Sequence, residues 1–190
     1  QAALKIAYAL SNGNAKKLSE FGVPYYEFER EGKKIIVACA VGHLFTLAQD
    51  KDKKKKQAFP VFDVKWQPNY KSKKNDWSKK YYTVLLKLCK NASDFIVSTD
   101  YDIEGEVIGL NIIRLIAKQQ DAKRMKFSTL TSQELENSYK NLMPTLDWGQ
   151  AIAGETRHYL DWFYGINLSR ALMEAIKKAG SFRIFSIGRV

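Results

Sequence analysis

The chain has 190 residues, of which 45% are hydrophobic, so it can bury one good core with a smaller appendage. Its 31 Lys and Arg residues against 20 Asp and Glu give a formal net charge of +11, and this excess indicates a polyanionic partner. No apolar run reaches the roughly 18 residues of a membrane span, and neither a signal peptide nor a basic amphipathic anchor is evident. We therefore expect a cytoplasmic protein that does not bind membranes.

The two cysteines, Cys39 and Cys89, lie in a strand-like run and on a helix-like face. They are expected to be buried free thiols of an intracellular protein. With only two cysteines, the sequence suggests neither a disulfide framework nor a zinc site.

The chain begins on a helical pattern and continues into a hairpin. Apolar residues recur from Ala2 to Leu10, and the segment ends near Gly13. Alternation over residues 25–30 and an apolar run over residues 33–41, joined by Glu31-Gly32, predict two antiparallel strands. His43 follows directly, and a lone histidine at a strand end is more often a loop hydrogen-bonding residue than a functional one.

A basic stretch separates this hairpin from the next helix. Residues 50–57 (D-K-D-K-K-K-K-Q) are typical of a solvated loop that adds non-specific attraction to phosphates. Residues 59–68 are expected to be extended, and residues 71–80 to be a linker and helix entry. Over residues 78–90 an apolar stripe at i, i+3, i+4 and i+7 predicts an amphipathic helix.

Residues 95–116 carry the strongest chemical signal. A short apolar strand (95–97) is followed by a loop and then by apolar residues at helical spacing after Gly105. This order places ligands at the carboxyl end of a strand in α/β sheets. Four acids stand at alternate positions in and after the loop: Asp100, Asp102, Glu104 and Glu106.

A hard divalent cation relieves the repulsion among acids this close, and Mg²⁺ takes one or two carboxylates while keeping waters. Asp100 and Asp102 are therefore candidate metal ligands, with Glu104 as a third or water-mediated one. The alternative is an acidic helix N-terminus that complements the macrodipole, which we favour for Glu106. An EF-hand is excluded, because the required Glu at position 12 is Asn111 and a strand precedes the loop.

The remaining segments are predicted as a strand and three helices. Residues 124–130 form the strand, and Thr131-Ser132-Gln133-Glu134 is a capping box that opens a helix. A domain boundary is placed near Pro144. Beyond it we predict one helix capped by Asp147 and ending near Gly165, and a second from residue 167 to Gly180.

The acidic stretch T-D-Y-D-I-E-G-E resembles the D-x-D-x-E-G-E motif of the Toprim domain, in the form found in type IA DNA topoisomerases. The usual basic residue after the second Asp is Ile103 here, which removes a potential phosphate contact and leaves the carboxylates. Four further segments resemble family motifs in the same order along the chain: V-G-H at 41–43, R-x-x-F-x-x-x-T from Arg124, R-x-x-x-D-x-x-x-G from Arg157, and S-x-G-R-V at 186–190.

The resemblance implies an α/β fold, Rossmann-like, with a mostly parallel sheet flanked by helices over residues 1–144. The start of a helical DNA-binding domain would occupy residues 145–190. Family members open with a strand that ends in a catalytic Glu, and that strand is expected upstream of Gln1. The resemblance also implies Mg²⁺ as cofactor, and single-stranded DNA and the remaining domains of the same enzyme as partners.

Roles for individual residues follow from the same resemblance. The implied catalytic residues are Glu104 and Arg124, the implied metal ligands are Asp100, Asp102 and Glu104, and the implied DNA-binding residues are His43, Arg157, Asp161, Ser186, Gly188 and Arg189. On spacing alone, Arg157 and Asp161 are equally consistent with a surface ion pair on one helix face.

The implied activity is the breaking and rejoining of one DNA strand through a 5′-phosphotyrosine, without ATP. The motif that carries the nucleophilic tyrosine in the family is not found in these 190 residues, so the piece alone is expected to be inactive. A Toprim nuclease, a primase-like enzyme and a non-catalytic nucleic-acid-binding module remain as alternatives.

Overall fold

A computed structural model describes residues 1–50, 60–72 and 77–180 of the protein. It contains five α-helices, a 3₁₀ turn at Asn69–Lys71 and a π-helical turn at Ile113–Ala117. The α-helices are α1 Ala2–Leu10, α2 Ser78–Lys90, α3 Ile103–Ile112, α4 Ser132–Lys140 and α5 Trp148–Lys178. The strands are β1 Lys16–Glu20, β2 Val23–Arg30, β3 Lys33–Ala38, β4 Phe45–Gln49, β5 Val64–Pro68, β6 Ile96–Val97 and β7 Lys123–Arg124.

Strands β1, β2 and β3 form an antiparallel sheet in sequence order. Both connections are two-residue turns, Phe21-Gly22 and Glu31-Gly32, in which each residue has a positive φ between 51° and 75°. This conformation matches the twist of the flanking strands and favours Gly at the second position. The predicted β2–β3 hairpin is confirmed. Strand β1 was not predicted, because its K-K-L-S-E sequence is largely solvent-exposed and carries no apolar alternation.

A second antiparallel pair, β4 and β5, pairs Phe45 with Pro68 and Gln49 with Val64. The extended conformation expected over residues 59–68 is confirmed for Val64–Pro68, while Phe59 lies outside the described residues. The lysine run lies outside them from residue 51 to 57. Helices α1 and α2 have the bounds that the apolar pattern predicts.

Strands β6 and β7 are parallel and are connected through helix α3, with Val97 opposite Arg124. Within the described part of the chain this is the one parallel pair, and the other five strands pair antiparallel. The α/β composition is therefore as predicted, and a parallel arrangement is present around the acidic loop. The strand expected over residues 124–130 is confined to its first residue, and β7 begins one residue earlier.

Helix α5 corrects a prediction. Two helices were expected to meet between Gly165 and Asn167, but one helix of 31 residues runs from Trp148 to Lys178. A single Gly inside a helix costs only about 1 kcal/mol relative to Ala, which tertiary contacts can outweigh. Asn167 does not cap a helix. Its side-chain amide accepts from Val61 N at 2.7 Å and donates to Val61 O at 3.0 Å, joining the segment before β5 to the middle of α5.

Among the described residues the core forms three clusters, and the one beneath the acidic loop connects β6, α3 and the start of α5. It includes Val97, Leu110, Leu146 and Ala151, all less than 9% exposed. Gly154 brings α5 against α3, because a Cβ there would lie 2.5 Å from the Ile103 carbonyl oxygen. The start of α5 thus shares a core with α3, and a domain boundary near Pro144 stays a prediction.

Cys39 and Cys89 are free thiols, as predicted, but both are half-buried and not buried as expected. Burial raises the pKa of the Cys89 thiol. No helix in the described ranges is both long enough and apolar enough to cross a membrane.

Candidate functional site

The acidic loop leaves the carboxyl end of β6 and turns into α3, as the sequence predicts. Gly105 makes this turn possible, because a Cβ at this position would collide with the carbonyl oxygen of Asp100. Thr99 Oγ1 donates to the Gly105 carbonyl oxygen at 2.8 Å and joins the two ends of the loop. The loop therefore depends on a glycine at this point of the motif.

Asp102 is the N-cap of α3. Its Oδ1 accepts from the Gly105 backbone N–H at 2.7 Å, which satisfies one of the unpaired donors at the helix start. Asp100 stands two residues earlier and is exposed. The two predicted metal ligands are thus close together on the loop. Asp100 is exposed to solvent, and one carboxylate oxygen of Asp102 is hydrogen-bonded to the first turn of α3.

Arg124 lies beneath this loop with its side chain fully buried. Its Nε donates to Glu106 Oε1 at 2.6 Å, and its Nη2 donates to the Asp100 carbonyl oxygen at 2.9 Å. Its Nη1 reaches the carbonyl oxygens of Thr99 at 2.9 Å and Met125 at 2.7 Å. Arg124, which the family resemblance implies is catalytic, therefore holds the backbone of the acidic loop, and its catalytic role stays a prediction.

Glu106 is the buried partner of Arg124 and has no exposed surface. Its Oε1 is bound by the arginine, and its Oε2 has no hydrogen-bond partner among the described residues. The expected helix N-terminal position is correct, since Glu106 lies in the first turn of α3. Its main interaction is the ion pair with β7.

Glu104, in the same first turn of α3, contacts side chains from two other parts of the chain. Its Oε2 lies 3.0 Å from His43 Nε2 and 3.0 Å from His158 Nε2. Its Oε1 lies 3.4 Å from an Nη of Arg157. The structure thus joins three predicted site residues, Glu104, His43 and Arg157, and adds a fourth.

His43 is positioned by the turn before it and by a neighbour from the 3₁₀ turn. Val41 and Gly42 have φ values of 50° and 77°, and a β-branched residue rarely adopts a positive φ. Asn69 Nδ2 donates to the His43 carbonyl oxygen at 2.6 Å. The strained turn and this hydrogen bond fix the backbone that presents the imidazole to Glu104.

Burial lowers the pKa of His43 from its ordinary value of 6.5, and the neighbouring His158 lowers it further, while Glu104 opposes both effects. Together these effects favour the neutral imidazole. Because an ionised carboxylate only accepts hydrogen bonds, Nε2 carries the proton in the bond to Glu104. The other ring nitrogen, Nδ1, is buried and has no partner in the described part of the chain.

His158 was not predicted as a site residue. It lies on α5 directly after Arg157, and the Trp66 ring packs edge-on against it with centroids 5.4 Å apart. Only the composition could have pointed to His158, because the chain has just two histidines and the other, His43, was already a predicted site residue. No spacing in the sequence joins positions 43 and 158, and only the packing of α5 on α3 does so.

Arg157 and Asp161 form a loose ion pair on α5, with Nε and Oδ2 3.8 Å apart and both side chains more than half exposed. Their exposure and the contact of Arg157 with Glu104 place a cationic side chain beside the acidic loop. The other predicted DNA contacts, Ser186, Gly188 and Arg189, lie outside the described residues.

The family model of the Toprim domain matches residues 2–130. This range includes β1 to β7, the acidic loop and the buried arginine beneath it. The chain belongs to the Toprim domain family, and the resemblance seen in the acidic motif is confirmed.

The relatives extend the match to the rest of the chain. The chain is 51% identical over 188 residues to DNA topoisomerase 1 of Methanocaldococcus jannaschii, covering 99% of this chain and 24% of that protein. It is 50% identical over 192 residues to DNA topoisomerase 1 of Pyrococcus horikoshii, covering 99% and 28%. DNA topoisomerase 3 of Bacillus cereus is 31% identical over 153 residues, covering 75% and 20%. The chain thus spans about a quarter of the length of these curated relatives.

Proposed function

We propose that this chain is the Toprim part of a type IA DNA topoisomerase, an enzyme that breaks and rejoins one DNA strand without ATP. The observation that carries the proposal is the acidic loop at the carboxyl end of β6, supported from below by Arg124 and joined to Arg157 through Glu104. The topoisomerases to which the chain is similar over 99% of its length support the same function.

Asp100, Asp102 and Glu104 would hold Mg²⁺ in this proposal. The set consists of carboxylate oxygens, which Mg²⁺ prefers, and the exposure of Asp100 leaves room for the waters that Mg²⁺ retains. The bound ion would offset phosphate charge near the scissile bond. The protein's own part is to hold Asp100 and Asp102 on the loop and Glu104 in the first turn of α3, with the loop backbone fixed by Arg124 and by the Asp102 cap.

DNA would bind on the face that carries Arg157. Its side chain is 53% exposed, so it can reach a phosphate while remaining beside Glu104. The net charge of +11 supplies long-range attraction to the backbone. Contacts from His43, Asp161, Ser186, Gly188 and Arg189 belong to the same proposal.

The nucleophilic tyrosine would come from another domain of the same enzyme. Tyr101 is unsuited to that task here, because its hydroxyl donates to Asp147 Oδ2 at 3.0 Å and helps to hold the start of α5. We propose that β6 and β7 lie at the centre of a Rossmann-like parallel sheet and that a helical DNA-binding domain begins after Pro144. A cytoplasmic, DNA-associated location follows from this function.

The test uses the full-length protein that contains this chain. It is incubated with 5′- or 3′-labelled single-stranded DNA, with and without Mg²⁺, and then denatured. A topoisomerase of this type leaves protein covalently attached to the 5′ end of the break. The break is resealed in Mg²⁺, and resealing is lost in Asp100→Asn/Asp102→Asn.

Two other outcomes contradict the proposal. Free DNA ends without attached protein would indicate a Toprim nuclease. DNA binding with no cleavage would indicate a binding module. In that case removing two negative charges from the loop should leave affinity for DNA unchanged or higher.

A further inference from the structure

The cluster of His43, Glu104 and His158 has a ligand composition different from that of the carboxylate loop. Three chain segments contribute to it: the turn after β3, the first turn of α3 and the middle of α5. One ligand atom from each side chain lies within 4.8 Å of the other two. We propose that this cluster binds a divalent transition-metal ion such as Zn²⁺ or Co²⁺, through Nε2 of both histidines and Oε2 of Glu104.

The chemistry of the donors favours such an ion over Mg²⁺. Imidazole nitrogen is a good ligand for Zn²⁺, Co²⁺ and Ni²⁺, whereas Mg²⁺ prefers carboxylate and water oxygen. Two histidines and one carboxylate are a common set of protein ligands in zinc sites that keep a fourth position open. The chain thus has two sets of candidate metal ligands, one of carboxylates only and one with two imidazoles, and Glu104 belongs to both.

The geometry is close to what a bound ion needs. Zn²⁺ bonds of about 2.0–2.2 Å in a tetrahedral site place neighbouring ligand atoms about 3.3 Å apart. Both imidazole nitrogens lie 3.0 Å from the same carboxylate oxygen, and all three ligand atoms lie within 4.8 Å of one another, so small side-chain movements would bring them to these separations. The centroids of the two imidazole rings are 5.0 Å apart and the ring planes are inclined by 63°. The rings therefore do not stack, and their Nε2 atoms can face the same point.

Surrounding contacts hold the three ligands in place. Arg157 engages Oε1 of Glu104 and leaves Oε2 for the ion. Asn69 fixes the backbone of His43, and Trp66 packs against the ring of His158. On metal binding each imidazole presents an unprotonated Nε2 and carries its proton on Nδ1. Because Nδ1 of His43 lacks an acceptor among the described residues, we expect weaker binding than in sites where this proton is hydrogen-bonded.

Glu104 belongs to both ligand sets, and this has a consequence that rests on the proposed function. An ion held by the histidines removes Glu104 from the Mg²⁺ set. Zn²⁺ or Co²⁺ is therefore expected to compete with the Mg²⁺-dependent step. The binding itself needs only the three side chains of the cluster.

The test is Co²⁺ titration of the 190-residue chain followed by visible absorption, which reports coordination directly. Cys39→Ser and Cys89→Ser form the background, because a soft thiolate ligand could otherwise bind Co²⁺ in place of the cluster. We expect one Co²⁺ per chain with the d–d bands of a four- or five-coordinate nitrogen- and oxygen-ligated ion, displaced by Zn²⁺. His158→Ala should weaken binding at least 10- to 100-fold, the loss that even an outer-shell change produces.

His43→Gln is a second ligand variant, in case His158→Ala disturbs the packing of Trp66, and circular dichroism checks the fold of both. Asp100→Asn is the matched control, since it should keep Co²⁺ binding and weaken Mg²⁺ binding. Co²⁺ binding that is absent, or unchanged in both histidine variants, would overturn the proposal and leave a hydrogen-bonded cluster. If Mg²⁺ still bound to the carboxylate loop in that case, the proposed function would stand.

Discussion

Arg124 and Glu106 form a fully buried ion pair between β7 and α3, with Nε and Oε1 2.6 Å apart. The same guanidinium binds the carbonyl oxygen of Asp100, so the pair connects the core to the acidic loop. Removing one partner of a buried pair leaves an uncompensated charge. The buried ion pair therefore stabilises the conformation of the acidic loop.

Arg124→Ala is expected to lower the free energy of unfolding by about 3–5 kcal/mol, because it leaves Glu106 buried without its partner. Urea unfolding followed by circular dichroism measures the change. Lys178→Ala is the control, as it removes a cation from an exposed i,i+4 pair with Glu174 and should change stability by less than about 0.5 kcal/mol. A loss below about 1 kcal/mol for Arg124→Ala would show that the pair does not hold the loop.

Gly105→Ala is expected to distort the acidic loop, because the added Cβ would collide with the carbonyl oxygen of Asp100. We expect a stability loss well above the ordinary helical preference for Ala, which favours the substitution by about 1 kcal/mol. Gly149→Ala on α5 is the matched control, since its Cβ would lie 3.5 Å from Asp147 Oδ1, an ordinary contact. Equal midpoint temperatures for the two variants in thermal unfolding would contradict the predicted collision between a Cβ at position 105 and the Asp100 carbonyl oxygen.

The Arg30–Glu136 pair predicts a loss of stability in acid. Hydrogen bonds from Arg30, at 2.7 and 2.8 Å, hold the pKa of Glu136 below its ordinary value of 4.5. A carboxyl with a lowered folded pKa contributes stability above its unfolded pKa, and that contribution disappears as the pH falls through the folded value. When the pH is lowered from 7 to 3, the free energy of unfolding measured in urea should therefore fall more for the wild type than for Glu136→Gln. Parallel losses in the two proteins would contradict this.

Arg157→Ala is expected to weaken binding of single-stranded DNA and to flatten its salt dependence. Losing one phosphate contact lowers the slope of log K against log salt by about 0.7 on a single strand. Fluorescence anisotropy at several salt concentrations measures the slope. Lys178→Ala removes the same charge from the far end of α5, and its slope should match the wild type. If both variants changed the slope equally, the effect would come from the net charge of the protein and not from a phosphate contact made by Arg157.

Local patterns in the sequence predicted most elements near the site. The β2–β3 hairpin, helix α2 and the strand–loop–helix order around Asp100 all follow from apolar spacing and turn residues. The Thr131 cap of α4 was also predicted, and its Oγ1 accepts from Glu134 N at 3.4 Å. These features depend on residues close together in the chain.

Features that depend on distant residues could not be predicted in the same way. Asn167 lies inside α5 and bonds to Val61, 106 positions away, a contact that no local pattern indicates. The burial of Arg124 requires Glu106 on another element, and composition alone suggests a surface arginine. His158 joins the site because Gly154 lets α5 approach α3.

In the proposed function the acidic loop holds Mg²⁺, and the most direct measurement is a Mg²⁺ titration of the ¹⁵N-labelled chain followed by amide chemical shifts. We predict weak, saturable shifts centred on residues 99–106 that disappear in Asp100→Asn/Asp102→Asn. They should persist in Asp94→Asn, an exposed aspartate just before β6 whose contact with Lys123 is 4.0 Å long. Shifts that were absent from the loop, or equal in all three proteins, would contradict the account.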